Sequence, residues 1–309
     1  MKEYLAVDIG GTFIKYGIVN EQAAIVELDK TKTPKTLDGL LELLEELYQK
    51  HLDAAGVAIS CPGAVSESGV IYGTSALPYL HGPNIKQLIK DRLGVHIYME
   101  NDANCAGYAE VWKGKARGIK DVLVMVIGTG IGGAVIKNGL IHKGANLHGG
   151  EFGYMVLPYD SATGYDTWSG TAATGALIKK VARLKNMNKD ELTGEAIFEM
   201  ASAGDEVCSK AIDQFYQILA LGIYNLQYIY DPEIILIGGG ISVRDDLIDN
   251  INEKLDGILH QLEASKIKPN IDTCEFRQHS NLLGAVYGYI RETEGDAFSN
   301  PDLTRVNGQ

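Results

Sequence analysis

From Tyr4 the chain reads YLAVDIGGTFIKYGIV: a short apolar run, a glycine turn, then alternating apolar and polar residues over Phe13 to Val19. Alternation at a period of two lines each face of a strand with one kind of side chain. Two strands joined at the glycines are therefore expected, with AAIVEL after the NEQ turn as a third in an antiparallel meander. In LDGLLELLEELYQKH the leucines instead recur at helical spacing with acids opposite them, the pattern of an amphipathic helix. AAGVAIS then reads as a buried strand.

The same order returns later. DVLVMVIGTGIGGAVI reads strand, glycine turn, strand; KNG is a hairpin signal, because Asn and Gly accept positive φ; LIHKG begins the return strand. Helices follow, including Val207 to Tyr230, and precede the apolar strand EIILIGGG. Gly10 and Gly130 lie 120 positions apart, a domain-sized interval. These patterns describe an α/β chain with a duplicated β-β-β-α-β plan and an active cleft between the halves. The basic, glycine-punctuated stretch Trp112 to Asp121 separates a helix from a strand, so the halves are expected at 1–116 and 117–290. Residues 291–309 are polar and aperiodic, a tail either docked or loose.

Composition narrows the partners. A net charge of −12 repels nucleic acid and anionic membranes at long range, so neither is an expected partner. No apolar run approaches the roughly 20 residues of a membrane span, and MKEYLAVDIGG lacks the features of a signal peptide, which makes the cytoplasm the expected location. Cys61, Cys105, Cys208 and Cys274 are far apart and form no C-x-x-C pair, so buried free thiols are expected.

Gly128, Gly130 and Gly133 have the G-x-G-x-x-G spacing of a dinucleotide fingerprint, and Glu151 follows about twenty positions on. That fingerprint needs a helix directly after the glycines to face the pyrophosphate. Here AVIKNGLI follows, which alternates and turns as a hairpin, so the context excludes a dehydrogenase reading. Successive glycine N–H groups can still close around an anion, which makes D-I-G-G-T at Asp8 to Thr12 and Gly128-Thr129-Gly130 candidate phosphate loops, one per half. Asp8 is positioned to hold Mg²⁺, directly or through water. No Walker-type G-x-x-x-x-G-K-[ST] occurs.

In VHIYMENDANCAGYAE a strand runs into Asn101 and Asp102 at the start of an alanine-rich helix. Asp102 is either a helix cap or the base that accepts a substrate hydroxyl proton in phosphoryl transfer, and the sequence leaves both open. Asn101 offers donor and acceptor to a polyol. GANLHGGEFGY places His148 and Glu151 in a glycine-rich loop, Glu151 suited to accept from adjacent sugar hydroxyls and His148 equally readable as a solvated residue. Ser60, Pro62 and Gly63 follow a strand, where they form either a pocket wall or a plain turn. Gly238, Gly239 and Gly240 permit close approach to a flat ligand, or to a helix.

DIGGT, AISCPG, ENDANCAGYAE, IGTGIGGAVI, GGEFGY and DPEIILIGGG, taken in order over Tyr4 to Ile290, resemble the ROK family of bacterial sugar kinases and related repressors, within the actin-like ATPase, ribonuclease H-like fold. The resemblance implies that Asp8, Gly10, Gly11, Thr12 and Lys15 face ATP phosphates and Mg²⁺, that Gly128, Thr129 and Gly130 take a second phosphate role, and that Gly239 and Gly240 lie near adenosine. It implies Asp102 as the base and Asn101 and Glu151 as sugar-hydroxyl ligands; His148, Ser60 and Gly63 complete the expected sugar site from the residue patterns above. The reaction implied is attack of a sugar hydroxyl, usually the 6-OH, on the γ-phosphate, in a cytoplasmic homodimer.

The chain also departs from the family. Tyr154 stands where many members have a histidine, and YDSATGYDTWSGTAATG holds none of the cysteines that bind structural zinc in them. No zinc site is therefore expected, and the place of the family's second sugar-binding glutamate falls near Ser169 or Gly170. Zinc-free members include β-glucoside kinases, the leading expectation, with glucokinase, N-acylmannosamine kinase and a non-catalytic sugar-binding protein as alternatives. A DNA-binding regulator is not expected, since AVDIGGT falls within the first twelve residues.

Overall fold

The computed structural model describes residues 1–160, 164–262, 264–276 and 279–295. The strands are β1 (Glu3–Ile9), β2 (Phe13–Asn20), β3 (Ile25–Lys32), β4 (Val57–Cys61), β5 (Ala64–Val65), β6 (Ile71–Tyr72), β7 (Ile97–Asn101), β8 (Val122–Ile127), β9 (Ile131–Lys137), β10 (Leu140–Ile141), β11 (Val156–Asp160), β12 (Gly164–Thr167), β13 (Ile234–Gly238) and β14 (Ile271–Thr273). The helices are α1 (Leu37–Gln49), α2 (Ile85–Leu93), α3 (Asp102–Lys113), α4 (Trp168–Ala172), α5 (Thr174–Lys185), α6 (Gly194–Ser202), α7 (Glu206–Tyr230), α8 (Leu247–Gln261) and α9 (Ser280–Glu294).

Two five-stranded sheets carry the architecture, in the orders β3-β2-β1-β4-β7 and β10-β9-β8-β13-β14. In the first, β1 pairs antiparallel with β2 and parallel with β4, which pairs parallel with β7. In the second, β13 lies parallel to both β8 and β14. Each sheet is thus a meander extended by two parallel strands, the duplicated plan expected from the two glycine turns. The helix after the first meander forms for the expected reason. Leu40, Leu41, Leu44, Leu47 and Tyr48 of α1 are buried, and a fully buried leucine contributes about 2 kcal/mol, more than the exposed acids opposite them supply.

The hairpin that decided against a dinucleotide site is present. Asn138 and Gly139 both have positive φ, 54° and 75°, and join β9 to β10 with Leu140 opposite Lys137. The return strand is only two residues long.

Compactness does not follow the contiguous division at 116/117. One unit holds Met1–Lys120, Ala134–Gly149 and the described residues of 278–309; the other holds Asp121–Gly133 and the described residues of 150–277. The C-terminal helix joins the first unit because of its packing: α9 lies on α3 and on β4, β7 and β1. There the Tyr287 ring stacks on Trp112 at 5.5 Å and meets Tyr108 edge-on. The polar tail expected from 291 starts later, since α9 continues to Glu294, and residues 296–309 lie outside the described residues. Among the described residues no helix is long and apolar enough to cross a membrane.

Candidate active site

In the first unit, β1 ends at the glycine turn. Asp8 stands in register with Lys15 on β2 and Ser60 on β4. Its Oδ1 accepts from Ser60 Oγ at 2.9 Å and from Asn281 Nδ2, on α9, at 3.1 Å. Two donors on one oxygen fix the carboxylate plane and leave Oδ2 uncommitted among the described residues, the arrangement a carboxylate needs to take a hydrated cation. Gly11, Thr12 and Lys15 are exposed beside it, and Thr33 Oγ1 donates to Gly10 O at 2.6 Å, bracing the turn. Ser60 differs from the expected pocket wall: it is fully buried and its hydroxyl is spent on Asp8. Behind Asp8, burial first and then the charge of Lys15 lower the His279 pKa, which keeps that imidazole neutral near pH 7.

At the end of β7 the residue that caps α3 is Asn101, not Asp102. Asn101 Oδ1 accepts from the N–H groups of Ala103 at 2.9 Å and Asn104 at 3.1 Å, and Nδ2 donates to Gly63 O at 3.1 Å. Three of its four hydrogen-bonding positions are therefore used, so it can offer a ligand one N–H but no acceptor. Asp102, relieved of capping, is half-buried in the first turn, where its Oδ1 accepts from the N–H of Ala103 at 2.8 Å. Behind this pair Glu100 is 2% exposed. Its Oε1 accepts from the Asn101 N–H at 2.8 Å and Asn104 Nδ2 at 3.1 Å, and its Oε2 meets Lys143 Nζ at 2.7 Å.

Cys61 lies among these acids. Burial first, then the charges of Asp102, Glu100 and Asp8, push its thiol well above the usual range, so it stays protonated and donates to Glu100 O at 3.7 Å. All four cysteines are buried free thiols, as expected. His148 is exposed, its Nδ1 2.6 Å from Asn146 O.

In the second unit, the turn between β8 and β9 is closed by Gly128 N–H donating to Gly130 O at 2.9 Å. The first turn of α5 packs on it, Gly175 N–H reaching Gly128 O at 3.4 Å. This helix starts without a side-chain cap, since its N-cap is Ala173, and Thr174 Oγ1 is buried without a partner. Uncapped N–H groups with a helix dipole behind them form an anion site. They open on a cleft of about 1020 Å³ lined by Gly128, Thr129, Thr174, Gly175, Gly240 and Arg244, among others. Gly239, at φ +86° and packed on Ile127 O, turns the chain so that Gly240 lines the same cleft. On its wall the Arg244 guanidinium lies 3.8 Å from the Phe198 ring centroid and is held by two hydrogen bonds to Asp246.

Glu151, also in the second unit, is half-buried at the start of a single 3₁₀ turn, and Tyr154 at the end of that turn is 69% exposed. Ser169 accepts from the Ile131 N–H at 2.9 Å and so supports the glycine turn. The described part of the cysteine-free segment contributes to the antiparallel pair β11–β12 and continues into α4. Among the described residues no group of three or more His, Cys, Asp or Glu side chains is arranged to hold a metal. Sequence reasoning missed Asn281, Lys143 and the α5 terminus. Only the last left a signal, since GTAATG offers alanine where a capping side chain is usual.

Residues 4–291 match the model of the ROK family. A curated β-glucoside kinase from Listeria monocytogenes is 35% identical over 293 residues, covering 93% of this chain and 97% of its own. One from Klebsiella pneumoniae is 33% identical, covering 92% of this chain and 95% of its own. A ROK family protein from Streptococcus pneumoniae, solved in complex with sucrose, superposes with a TM-score of 0.88 at 34% identity, covering 94% of this chain and 99% of that one.

Proposed function

The chain belongs to the ROK family and is a sugar kinase; on that premise we propose that it transfers the γ-phosphate of ATP to the 6-hydroxyl of a β-glucoside. Asp102 accepts the hydroxyl proton, Asn101 offers its remaining N–H to the sugar, and Glu151 accepts from its hydroxyls, with His148 and the Gly63 backbone as further sugar contacts. The observation that carries the nucleotide assignment is the cleft of the second unit, where Gly128, Thr129 and Gly240 meet beside an uncapped helix terminus. Its volume, about 1020 Å³, suits a nucleotide, and the Arg244 plane offers a base a stacking surface. Gly10, Gly11, Thr12 and Lys15 supply a second phosphate contact, beside Asp8.

Magnesium fits the donor set at Asp8, a single carboxylate oriented by two hydrogen bonds with one oxygen to spare, because that ion keeps most of its water and shares substrate phosphate oxygens. When bound it neutralises phosphate charge during transfer. Catalysis by the chain then consists of placing a hydroxyl, a base and a phosphate chain in line.

The choice of β-glucoside over hexose is supported by the site's missing groups. Tyr154 is exposed where many members have a histidine, and Ser169 and Gly170, near the place of their second acid, carry no carboxylate, which favours an acceptor with a group on its anomeric carbon. Initial rates of ATP consumption with cellobiose, an aryl β-glucoside, glucose, N-acetylmannosamine and fructose test this. Cellobiose or the aryl glucoside should give the highest kcat/KM. A preference for glucose or N-acetylmannosamine would overturn the subtype, and no turnover with any sugar would favour a binding protein.

A further inference from the structure

We propose that Lys143 is a positioning residue of the sugar site, clasping the loop that carries His148 to the strand end that carries Asn101 and Asp102. The proposal rests on the sugar-site reading above. Lys143 Nζ meets Glu100 Oε2 at 2.7 Å and donates to Val65 O at 3.2 Å, so one ammonium ties the end of β7 and the short strand β5 to its own loop. That loop is closed on Lys143: the Gly149 N–H donates to Lys143 O at 2.7 Å, so anchoring Lys143 anchors both ends of residues 143–149. The other partner is equally committed, because Glu100 Oε1 accepts from the N–H of Asn101, the residue that caps α3 and touches Gly63 O.

Burial gives the pair its weight. The Glu100 side chain is 2% exposed and that of Lys143 25% exposed, so the carboxylate has no water to replace the ammonium. Charge points the same way. Asp8, Glu100 and Asp102 all bear on the buried Cys61 thiol, and Lys143 is the cation that opposes them there. Without it, Glu100 would be an uncompensated negative charge two residues from the proposed base, and the strand end would have to shift to rehydrate it. The geometry is also directional: Glu100 accepts from two N–H donors that a lysine could not serve, so exchanging the two residues does not restore the clasp.

The test compares wild type with Lys143→Met, Glu100→Gln and the double variant, all verified as folded by thermal melting and circular dichroism. Three quantities are read: KM and kcat for cellobiose, KM for ATP, and amide hydrogen exchange at Gly149 in the absence of ligand. Lys143→Met should raise the cellobiose KM about tenfold and lower kcat, leave the ATP KM within about twofold, and speed Gly149 exchange at least tenfold. Glu100→Gln should do the same in part, and the double variant should lose less than the two single losses combined, because the second change removes a partner already stranded. If Lys143→Met leaves cellobiose kinetics and Gly149 exchange within twofold of wild type, or weakens ATP and cellobiose equally, the clasp is overturned. Wild-type protein that phosphorylates no sugar would overturn the kinase reading instead, and the clasp would then stand or fall on Gly149 exchange alone.

Discussion

Replacing Gly175 with alanine places one methyl group between the α5 terminus and the Gly128–Gly130 turn. A Cβ there would sit 2.5 Å from Thr129 O and 3.2 Å from Thr129 C and Cα. These are backbone atoms, so no rotamer change relieves the contact, and reaching an ordinary 3.4 Å requires helix and turn to part by about 0.9 Å. Two effects on stability oppose each other. Alanine in a helix gains up to roughly 1 kcal/mol over glycine, whereas overpacking costs about 1–3 kcal/mol, so the net change is a loss of about 0–2 kcal/mol and the variant folds. Function is more sensitive than stability, since a displacement near 1 Å in a positioning element can cost on the order of 100-fold. Initial rates with ATP varied at saturating cellobiose, then the reverse, separate the two sites. We expect kcat/KM for ATP to fall about 30- to 100-fold, about 2–2.7 kcal/mol, with the cellobiose KM within about twofold of wild type. A folded variant whose kcat/KM for ATP stays within about threefold would refute the assignment of the nucleotide to the α5 terminus.

Three further outcomes are expected. Asp102→Asn should keep cellobiose binding, measured by calorimetry, and lose transfer by about 10²–10⁴-fold; near-normal turnover would reject Asp102 as the base. Ser60→Ala removes one of the two donors that orient Asp8, a charge-assisted bond of about 1.5–3 kcal/mol, and should raise the Mg²⁺ concentration for half-maximal rate roughly tenfold, an effect absent if Asp8 takes no cation. The Lys185 side chain, then the N–H of Cys208, hold Asp205 at about 2 against an ordinary 3.8; because the folded value is the lower one, its stabilisation is present above about pH 4 and lost as pH falls towards 2. Asp205→Asn should therefore narrow the gap between urea midpoints at about pH 5 and pH 3, and an unchanged gap would remove Asp205 from the acid limb.

The parts of the fold legible in the sequence are those set by local pattern. Period-two alternation over Phe13 to Val19, leucines at helical spacing in α1 and the Asn138-Gly139 turn each settle their own geometry within about fifteen residues, and each appears where its pattern placed it. Pairings across long stretches of chain were not legible. α9 carries no mark that sends it back to the first unit; its Tyr287 finds Trp112 only because both helices lie on one sheet.

The site divides along the same line. DIGGT and ENDANC draw attention to Asp8 and Asp102 as candidates because a carboxylate at the end of an apolar strand is a local feature. Asp8, and Glu100 beside Asp102, are oriented by residues far away in sequence. Asn281 reaches Asp8 across 273 positions and Ser60 across 52, while Lys143 reaches Glu100 across 43. In the ladder from residue to chemistry, the candidate reacting groups belong to local motifs and the orientation of the acids around them belongs to tertiary structure. Substitutions at the orienting residues should therefore change affinity and alignment while leaving the reacting groups themselves in place, which is the separation that Ser60→Ala and Lys143→Met measure against Asp102→Asn.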